Sequence, residues 1–139
     1  MEKREFTSKG PSDTLDIGEE IGKEARTGDI YVIYGELGAG KTQFVKGIAR
    51  GLGVPDWEYV LSPSYTLMNV YEGRRTLCHV DLYRLDENEA SLLDLEEYRN
   101  ESVLVVEWAE RLSDWPNEAI CVTIDVLGEE ERRIEVSKP

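Results

Sequence analysis

The residues best suited to chemistry form one glycine-rich run, Gly35-Glu36-Leu37-Gly38-Ala39-Gly40-Lys41-Thr42. The run matches the phosphate-binding loop pattern G-x-x-x-x-G-K-[ST]. Glycines let successive backbone N–H groups point into one concavity, and the start of the next helix adds partial positive charge. Lys41 would bring a full charge to the β- and γ-phosphates, and the Thr42 hydroxyl is a hard oxygen ligand suited to Mg²⁺. The alternative is a glycine-rich turn that happens to carry Lys and Thr.

The segments on either side of this run favour the functional interpretation. Residues 30–34 read Ile-Tyr-Val-Ile-Tyr, which is typical of a strand buried on both faces. After Thr42 the apolar residues recur at helical spacing, which predicts a helix over residues 41–52, ending at Gly51 and Gly53. A phosphate-binding loop needs this strand–loop–helix context.

Two carboxylates end strand-like segments further along the chain. Asp81 ends the segment Thr76–Asp81, and Glu107 follows the apolar run Val103–Val106. Open α/β sheets bind ligands beside the carboxyl ends of their strands. Both acids are therefore candidates to hold a magnesium-bound water or to orient the attacking water. For Asp81 the alternative is an exposed strand-end carboxylate, and His79 is interpreted as a packed strand residue rather than a catalytic base.

Three weaker candidates lie elsewhere. Residues 62–66, Ser-Pro-Ser-Tyr-Thr, place hydroxyls around a proline, which suits an ordered functional loop or an ordinary turn. Trp108 either stacks on a purine or a partner, or fills the core. Arg132 and Arg133 form a basic pair near the C-terminus. One of the two would meet nucleotide phosphate or ribose, unless both pair with nearby Glu side chains.

The remaining pattern predicts an α/β fold of the P-loop type with a mixed parallel and antiparallel sheet flanked by helices. Turns at residues 72–74 and 127–129 each join two strand-like runs, and such hairpins add antiparallel strands. Other expected elements are short strands at Glu5–Ser8 and Tyr59–Leu61, a helix capped by Ser12 or Asp13 and stopped by Gly28, an acidic helix over 86–99, and hairpin strands at Thr66–Tyr71, Ile120–Val126 and Arg133–Val136.

Length and charge limit the function classes. The 139 residues suit a single domain over residues 1–139. With 16 Lys and Arg against 29 Asp and Glu, the net charge is −13. Such a surface repels nucleic acid phosphates, so any nucleic acid would be bound mainly by another subunit. Cys78 and Cys121 are expected to be buried free thiols, and no Cys/His spacing suggests zinc. Without an apolar signal core or a membrane-length run, we expect a cytoplasmic protein that does not enter a membrane.

Four motifs in one order resemble the bacterial TsaE family, formerly YjeE, the ATPase of tRNA threonylcarbamoyladenosine biosynthesis. They are Gly-Glu-Leu-Gly-Ala-Gly-Lys-Thr at 35–42, Ser-Pro-Ser-Tyr-Thr at 62–66, His-Val-Asp-Leu-Tyr-Arg-Leu at 79–85 and Val-Glu-Trp at 106–108. The resemblance extends from the helix at Ser12 to the C-terminal hairpin. Only the first motif is widely shared among nucleotide-binding proteins.

This resemblance implies an ATPase that binds ATP and Mg²⁺, is weak alone, and works with two partner proteins, TsaB and TsaD. It would meet tRNA indirectly, through that complex. The resemblance also implies roles for individual residues: nucleotide binding by the run from Gly35 to Gln43 and by Trp108 and Arg132, catalysis by Lys41, Asp81 and Glu107, and metal binding by Thr42, Asp81 and Glu107. Gln43 departs from the family pattern, since many members have a second Thr there, and Ser64 stands where Thr is common.

Two other functions stay open on the sequence. A small-molecule kinase would use the same phosphate loop, but it usually carries an Arg-rich lid, and the segment after residues 86–99 is short and acidic. A non-catalytic adaptor would use ATP binding only to order a docking surface. The two strand-end acids argue against that adaptor.

Overall fold

The computed structural model of the chain describes residues 2–63 and 67–139. One seven-stranded sheet dominates it, in the order β1-β7-β6-β2-β5-β4-β3. The strands are β1 (Glu2–Ser8), β2 (Ile30–Tyr34), β3 (Met68–Tyr71), β4 (Leu77–Asp81), β5 (Val103–Glu107), β6 (Ile120–Val126) and β7 (Arg132–Lys138). The helices are α1 (Pro11–Glu24), α2 (Lys41–Gly51), α3 (Glu87–Ser91) and α4 (Leu95–Arg99), with 3₁₀ turns at Trp57–Tyr59 and Ala109–Arg111.

The centre of the sheet is parallel and its edges are antiparallel. Strands β6, β2, β5 and β4 are parallel neighbours, whereas β3 pairs with β4, and β7 with β6 and β1, in antiparallel fashion. In this register Asp81 lies opposite Glu107. The carboxyl ends of β2, β4 and β5 therefore meet at one edge, where parallel sheets place their ligands.

Helices cover both faces of the sheet, so its central strands are buried on both sides. Successive strand residues point to opposite faces. Tyr31, Ile33 and Val105 belong to the core that also contains the α1 and α2 residues Ile21 and Phe44. A second core on the other face includes apolar residues of α3 and α4 together with Ile30, Val32, Leu104 and Val106. This two-sided burial explains the unbroken apolar runs in β2 and β5.

Helices α1 and α2 touch backbone to backbone through glycines. A Cβ atom on Gly47 would lie 2.2 Å from the carbonyl oxygen of Leu15, and one on Gly18 would lie 2.3 Å from that of Phe44. Gly22 and Gly51 approach the opposite helix equally closely. A Cβ atom added to either would lie 2.3 Å from a backbone carbonyl oxygen of the other helix. This contact seats α2, whose first residues are Lys41 and Thr42, close against α1.

The predicted fold class and most of the elements are confirmed. The mixed sheet, the buried strand 30–34, the helix that follows the glycine-rich run and both hairpin pairings are present. β1 is longer than the expected Glu5–Ser8, because its whole length pairs with β7. The predicted strand from Thr66 begins outside the described residues, and β3 is first described at Met68.

Several local predictions were wrong. No strand forms at Tyr59–Leu61, because only Val60 is buried there while Tyr59 and Leu61 are 77% and 63% exposed. The expected helix over 86–99 is broken into α3 and α4 by residues 92–94. Asp86 caps α3 with a capping box, and α4 starts afresh after Asp94.

The start of α1 and one cysteine also differ from expectation. The helix begins at Pro11, which suits the first helical position, so Ser12 and Asp13 lie inside the first turn. It ends at Glu24, before Gly28. Both cysteines are free thiols, but Cys121 is exposed on β6 while Cys78 is buried. Within residues 2–63 and 67–139, no helix has the length and apolarity to span a bilayer.

Candidate functional site

The glycine-rich run forms the connection between β2 and α2. Gly38 and Gly40 have φ values of 82° and 100°, a left-handed conformation that favours glycine. Gly40 is the N-cap of α2, and no side chain among the described residues caps this end by a hydrogen bond. The first N–H groups of the helix therefore remain available for an anion, as in phosphate-binding loops.

Lys41 lies at the start of α2 and is only 6% exposed. Its Nζ donates to the carbonyl oxygens of Gly35 and Glu36 and lies 3.6 Å from the centroid of the Trp108 ring. Burial lowers the pKa of Lys41, while the carboxylates of Glu110, Glu107 and Asp81 act in the opposite direction. The ammonium group is thus held by carbonyls and an aromatic face, within the field of three acids.

Hydroxyl and carboxylate oxygens converge next to Lys41. The Oγ1 of Thr42 lies 2.5 Å from the Oγ of Ser62, which in turn donates to Oε2 of Glu107 at 3.1 Å. Glu107 is 2% exposed and Asp81 is 4% exposed. Burial raises the pKa of Asp81, and the neighbouring Glu107 charge adds to this, while the backbone N–H of Tyr83 donates to Oδ1 and lowers it. The alternative that Asp81 is a solvent-exposed acid is therefore wrong.

His79 completes this network from behind. It is fully buried, and its Nε2 lies 2.5 Å from the same Oε2 of Glu107. If the Glu107 carboxylate accepts this bond, Nε2 carries the donated proton. His79 precedes Asp81 by two residues on β4, so both side chains point to the same face of the sheet. This spacing was visible in the sequence, but His79 was predicted only as a packing residue.

Aromatic side chains form part of the wall of the same cavity, beside Lys41. The rings of Trp108 and Tyr83 have centroids 4.8 Å apart. Trp108 has a φ of 58°, which is uncommon for a bulky residue and is found where the surrounding structure imposes it. Both residues line one cavity of 370 Å³ together with Leu37, Gly38, Ala39, Gly40, Lys41, Thr42, Ser62, Asp81 and Glu107.

Gln43 and Arg132 lie on the other side of the run. The Gln43 amide donates to the carbonyl of Pro11 at 3.2 Å, and Arg132 donates from Nε to the carbonyl of Ala39 at 3.0 Å and from Nη2 to that of Gly38 at 3.3 Å. Both line a second cavity of 220 Å³ at the start of α1. Arg133 instead pairs with Asp125 on the neighbouring strand, 3.2 Å away and half exposed. Of the two arginines, only Arg132 contacts the glycine-rich run.

The oxygen donors in the first cavity suit a magnesium ion. Thr42, Ser62, Asp81 and Glu107 present hard oxygen atoms, and Mg²⁺ is usually held by one or two carboxylates together with phosphates and waters. Across the described ranges, no three His, Cys, Asp or Glu side chains group as a protein-only metal cage. Of the candidate functional loop at residues 62–66, Ser62 and Pro63 are described, and Ser64, Tyr65 and Thr66 lie outside the described residues.

A glycine-rich loop between a central parallel strand and a helix, beside strand-end acids, defines a P-loop α/β domain. The family model "Threonylcarbamoyl adenosine biosynthesis protein TsaE" matches residues 8–134. The chain belongs to the TsaE family, as the motifs had indicated.

Relatives of known sequence and structure agree with this assignment. The tRNA threonylcarbamoyladenosine biosynthesis protein TsaE of Treponema pallidum is 40% identical over 137 residues, covering 94% of this chain and 97% of the relative. The protein of the same name from Aquifex aeolicus is 37% identical over 134 residues, covering 96% and 95%. The crystal structure of YdiB from Bacillus subtilis superposes with a TM-score of 0.77 at 31% identity, covering 99% of this chain and 86% of YdiB.

Proposed function

We propose that this protein is the Mg²⁺-dependent, ATP-hydrolysing subunit of the machinery that makes threonylcarbamoyladenosine in tRNA, and that it is stimulated in a complex with TsaB and TsaD. One observation carries the proposal. Lys41 and Thr42, Asp81, and Glu107 come from three separate parts of the sequence and line a single cavity of 370 Å³. The family name supplies the pathway.

The arrangement supports a distinct task for each group. Backbone N–H groups at the start of α2 and the Lys41 ammonium bind the phosphates of ATP. Thr42 and Glu107 would hold Mg²⁺, which would neutralise charge that develops on the phosphates. Asp81 faces the same cavity and orients the attacking water. Phosphoryl transfer of this kind depends mainly on positioning and electrostatic stabilisation, which are what these fixed groups provide.

The contacts of Lys41 support the hypothesis that the isolated subunit hydrolyses ATP only slowly. Its Nζ already donates to the carbonyls of Gly35 and Glu36 and lies over Trp108. These contacts must be exchanged for phosphate oxygens before Lys41 acts on ATP. A partner that shifts the segment beginning at Trp108 would favour this exchange, since interface contacts commonly order such switch elements.

The charge of the chain supports an indirect relation to tRNA. A net charge of −13 opposes binding of the phosphate backbone, so the complex rather than this subunit would supply most of the tRNA contacts. We place this activity in the cytoplasm, with the other steps of tRNA modification.

The proposal is tested by steady-state ATP hydrolysis of the purified protein, alone and with TsaB, TsaD and tRNA. We expect slow turnover alone and a clear increase with the partners. Lys41→Ala should abolish nucleotide binding, whereas Glu107→Gln should bind nucleotide but turn over slowly. Unchanged turnover in both variants would refute the site. Transfer of the γ-phosphate to a metabolite in place of water would instead indicate a small-molecule kinase.

A further inference from the structure

An apolar groove lies on the sheet face opposite α1 and α2. It has a volume of 270 Å³ and is formed by α3, α4 and residues 112–116. Its floor and walls include Ile30, Ala90, Leu93, Leu95, Leu112 and Trp115. Leu92, immediately before one wall residue, is 85% exposed. An exposed leucine beside an apolar groove is a common feature of protein interaction sites.

Within the described part of the chain, the charged residues that line this groove are all acidic. Asp94, Glu96 and Asp114 line it, and none of its lining residues is Lys, Arg or His. Glu96 lies 3.4 Å from Arg99, which is closer to Glu118 at 2.9 Å. Among the described residues, Asp94 and Asp114 have no ion pair, and Asp94 makes no side-chain cap to α4. Unpaired carboxylates around an apolar floor are complementary to a basic segment with large apolar side chains.

One short segment of the chain connects the groove to the 370 Å³ cavity that contains Lys41. The indole N–H of Trp115 and the backbone N–H of Leu112 both donate to the carbonyl of Ala109, each at 3.1 Å. The backbone N–H of Arg111 donates to the carbonyl of Trp108, whose ring lies over Lys41. Trp108, which contacts Lys41, and the groove residues Leu112 and Trp115 therefore belong to one hydrogen-bonded segment, residues 108–115.

We propose that this groove docks a basic segment of the TsaB–TsaD complex that inserts one or two large apolar side chains. The inference rests on the proposed function, because it names the surface through which the partners act. A second copy of this chain suits the groove poorly, since each copy carries a net charge of −13. The short connection to Trp108 gives the docked partner a direct route to the contacts of Lys41.

The test combines Asp94→Asn with Asp114→Lys, which makes the net charge of the rim three units more positive and leaves the residues of the apolar floor unchanged. Both positions are exposed, so the fold should be retained. The matched control combines Glu5→Gln with Glu58→Lys, which adds the same charge at exposed positions outside the groove. Affinity for the purified TsaB–TsaD complex and its stimulation of ATP hydrolysis are measured for the wild type and both double variants.

We expect the rim variant to bind the complex about tenfold more weakly, with partner stimulation reduced in parallel and nucleotide affinity unchanged. Raising the salt concentration from about 50 mM to about 500 mM should lower the affinity of the wild type for the complex more than that of the rim variant, because salt screens exposed charges. Equal losses in the control variant, or wild-type affinity in the rim variant, would overturn the groove assignment. A wild type that the complex does not stimulate at all would instead refute the proposed function. Self-association abolished by the rim changes would assign the groove to a second copy.

Discussion

The Nε2 atom of His79 lies 2.5 Å from Oε2 of Glu107, and the two side chains are 0% and 2% exposed. Since Asp81 pairs with Glu107 in the parallel register, His79 sits diagonally from Glu107 on the same sheet face. The same Oε2 also accepts from Ser62. His79 and Ser62 therefore fix the orientation of the acid that we assign to the metal. The Nδ1 atom of His79 is buried and has no hydrogen-bond partner among the described residues, so Nε2 alone links the imidazole to the site.

We predict that His79→Met and His79→Gln behave differently, because the Gln side chain retains an N–H donor of similar reach. His79→Met leaves the buried carboxylate without this donor, which should lower the free energy of unfolding by about 1–3 kcal/mol. It should also lower kcat for ATP hydrolysis by about 10- to 100-fold, with a much smaller change in nucleotide Kd. His79→Gln should recover part of both losses. Equal effects of the two substitutions on kcat would show that His79 serves only to fill space.

A second prediction concerns the energetic cost of Asp81. Burial raises its pKa above that of the unfolded chain, so the folded state binds the proton more tightly. Stability should therefore fall as pH rises from the ordinary Asp pKa through the raised folded value, and at neutral pH the ionised carboxylate destabilises the fold.

Asp81→Asn removes this charge and keeps an oxygen to accept from the Tyr83 N–H. Without nucleotide or Mg²⁺, we expect the variant to melt at a higher temperature than the wild type at neutral pH. The difference should shrink toward acidic pH, where the wild-type carboxyl is protonated, and turnover of ATP should be low. A lower melting temperature at neutral pH would contradict this account.

A third prediction separates the two neighbouring arginines. Arg132 donates to the carbonyls of Ala39 and Gly38 and so braces the glycine-rich run, whereas Arg133 makes a half-exposed ion pair with Asp125. Arg132→Leu should weaken ATP binding about tenfold, because the loop backbone loses support. Arg133→Leu is the matched control and should change little, as exposed ion pairs contribute little. Titration of nucleotide against both variants checks this, and similar affinities would argue against bracing by Arg132.

A fourth prediction concerns the seam between α1 and α2. Gly47→Ala would place its Cβ 2.2 Å from the carbonyl oxygen of Leu15, so the helices must separate. We expect a loss of about 3 kcal/mol in the free energy of unfolding, and weaker nucleotide binding because α2 carries Lys41. Gly128→Ala is the control, since its Cβ would meet only the Cβ of Glu131, at 3.9 Å. Urea denaturation of both variants distinguishes packing from a general effect of replacing glycine, and a Gly47→Ala protein as stable as the control would contradict the close contact.

Local sequence determined the elements whose signals are strong and short-range. The run from Gly35 to Thr42 specifies its own backbone conformation, and the apolar stretch 30–34 specifies a buried strand, so both were predictable. The turns at 72–74 and 127–129 fixed the hairpins for the same reason. Sequence patterns whose outcome depends on tertiary packing predicted the secondary structure less accurately. Tyr59–Leu61 has strand-forming residues but only one buried side chain, and residues 86–99 form two short helices that contribute to the same apolar core.

The tertiary structure alone decided which distant residues meet. The register of β4 and β5 sets Asp81 opposite Glu107. It also places His79, two residues before Asp81, within hydrogen-bonding distance of the Glu107 carboxylate. No local pattern announces these contacts, because they depend on how two strands separated by more than twenty residues align. The glycines at i and i+4 in α1 and α2 are visible in the sequence, but their purpose appears only when the two backbones touch. The residues of the run 35–42 thus predicted a phosphate-binding loop from local signals, whereas the network around Glu107 follows from long-range packing.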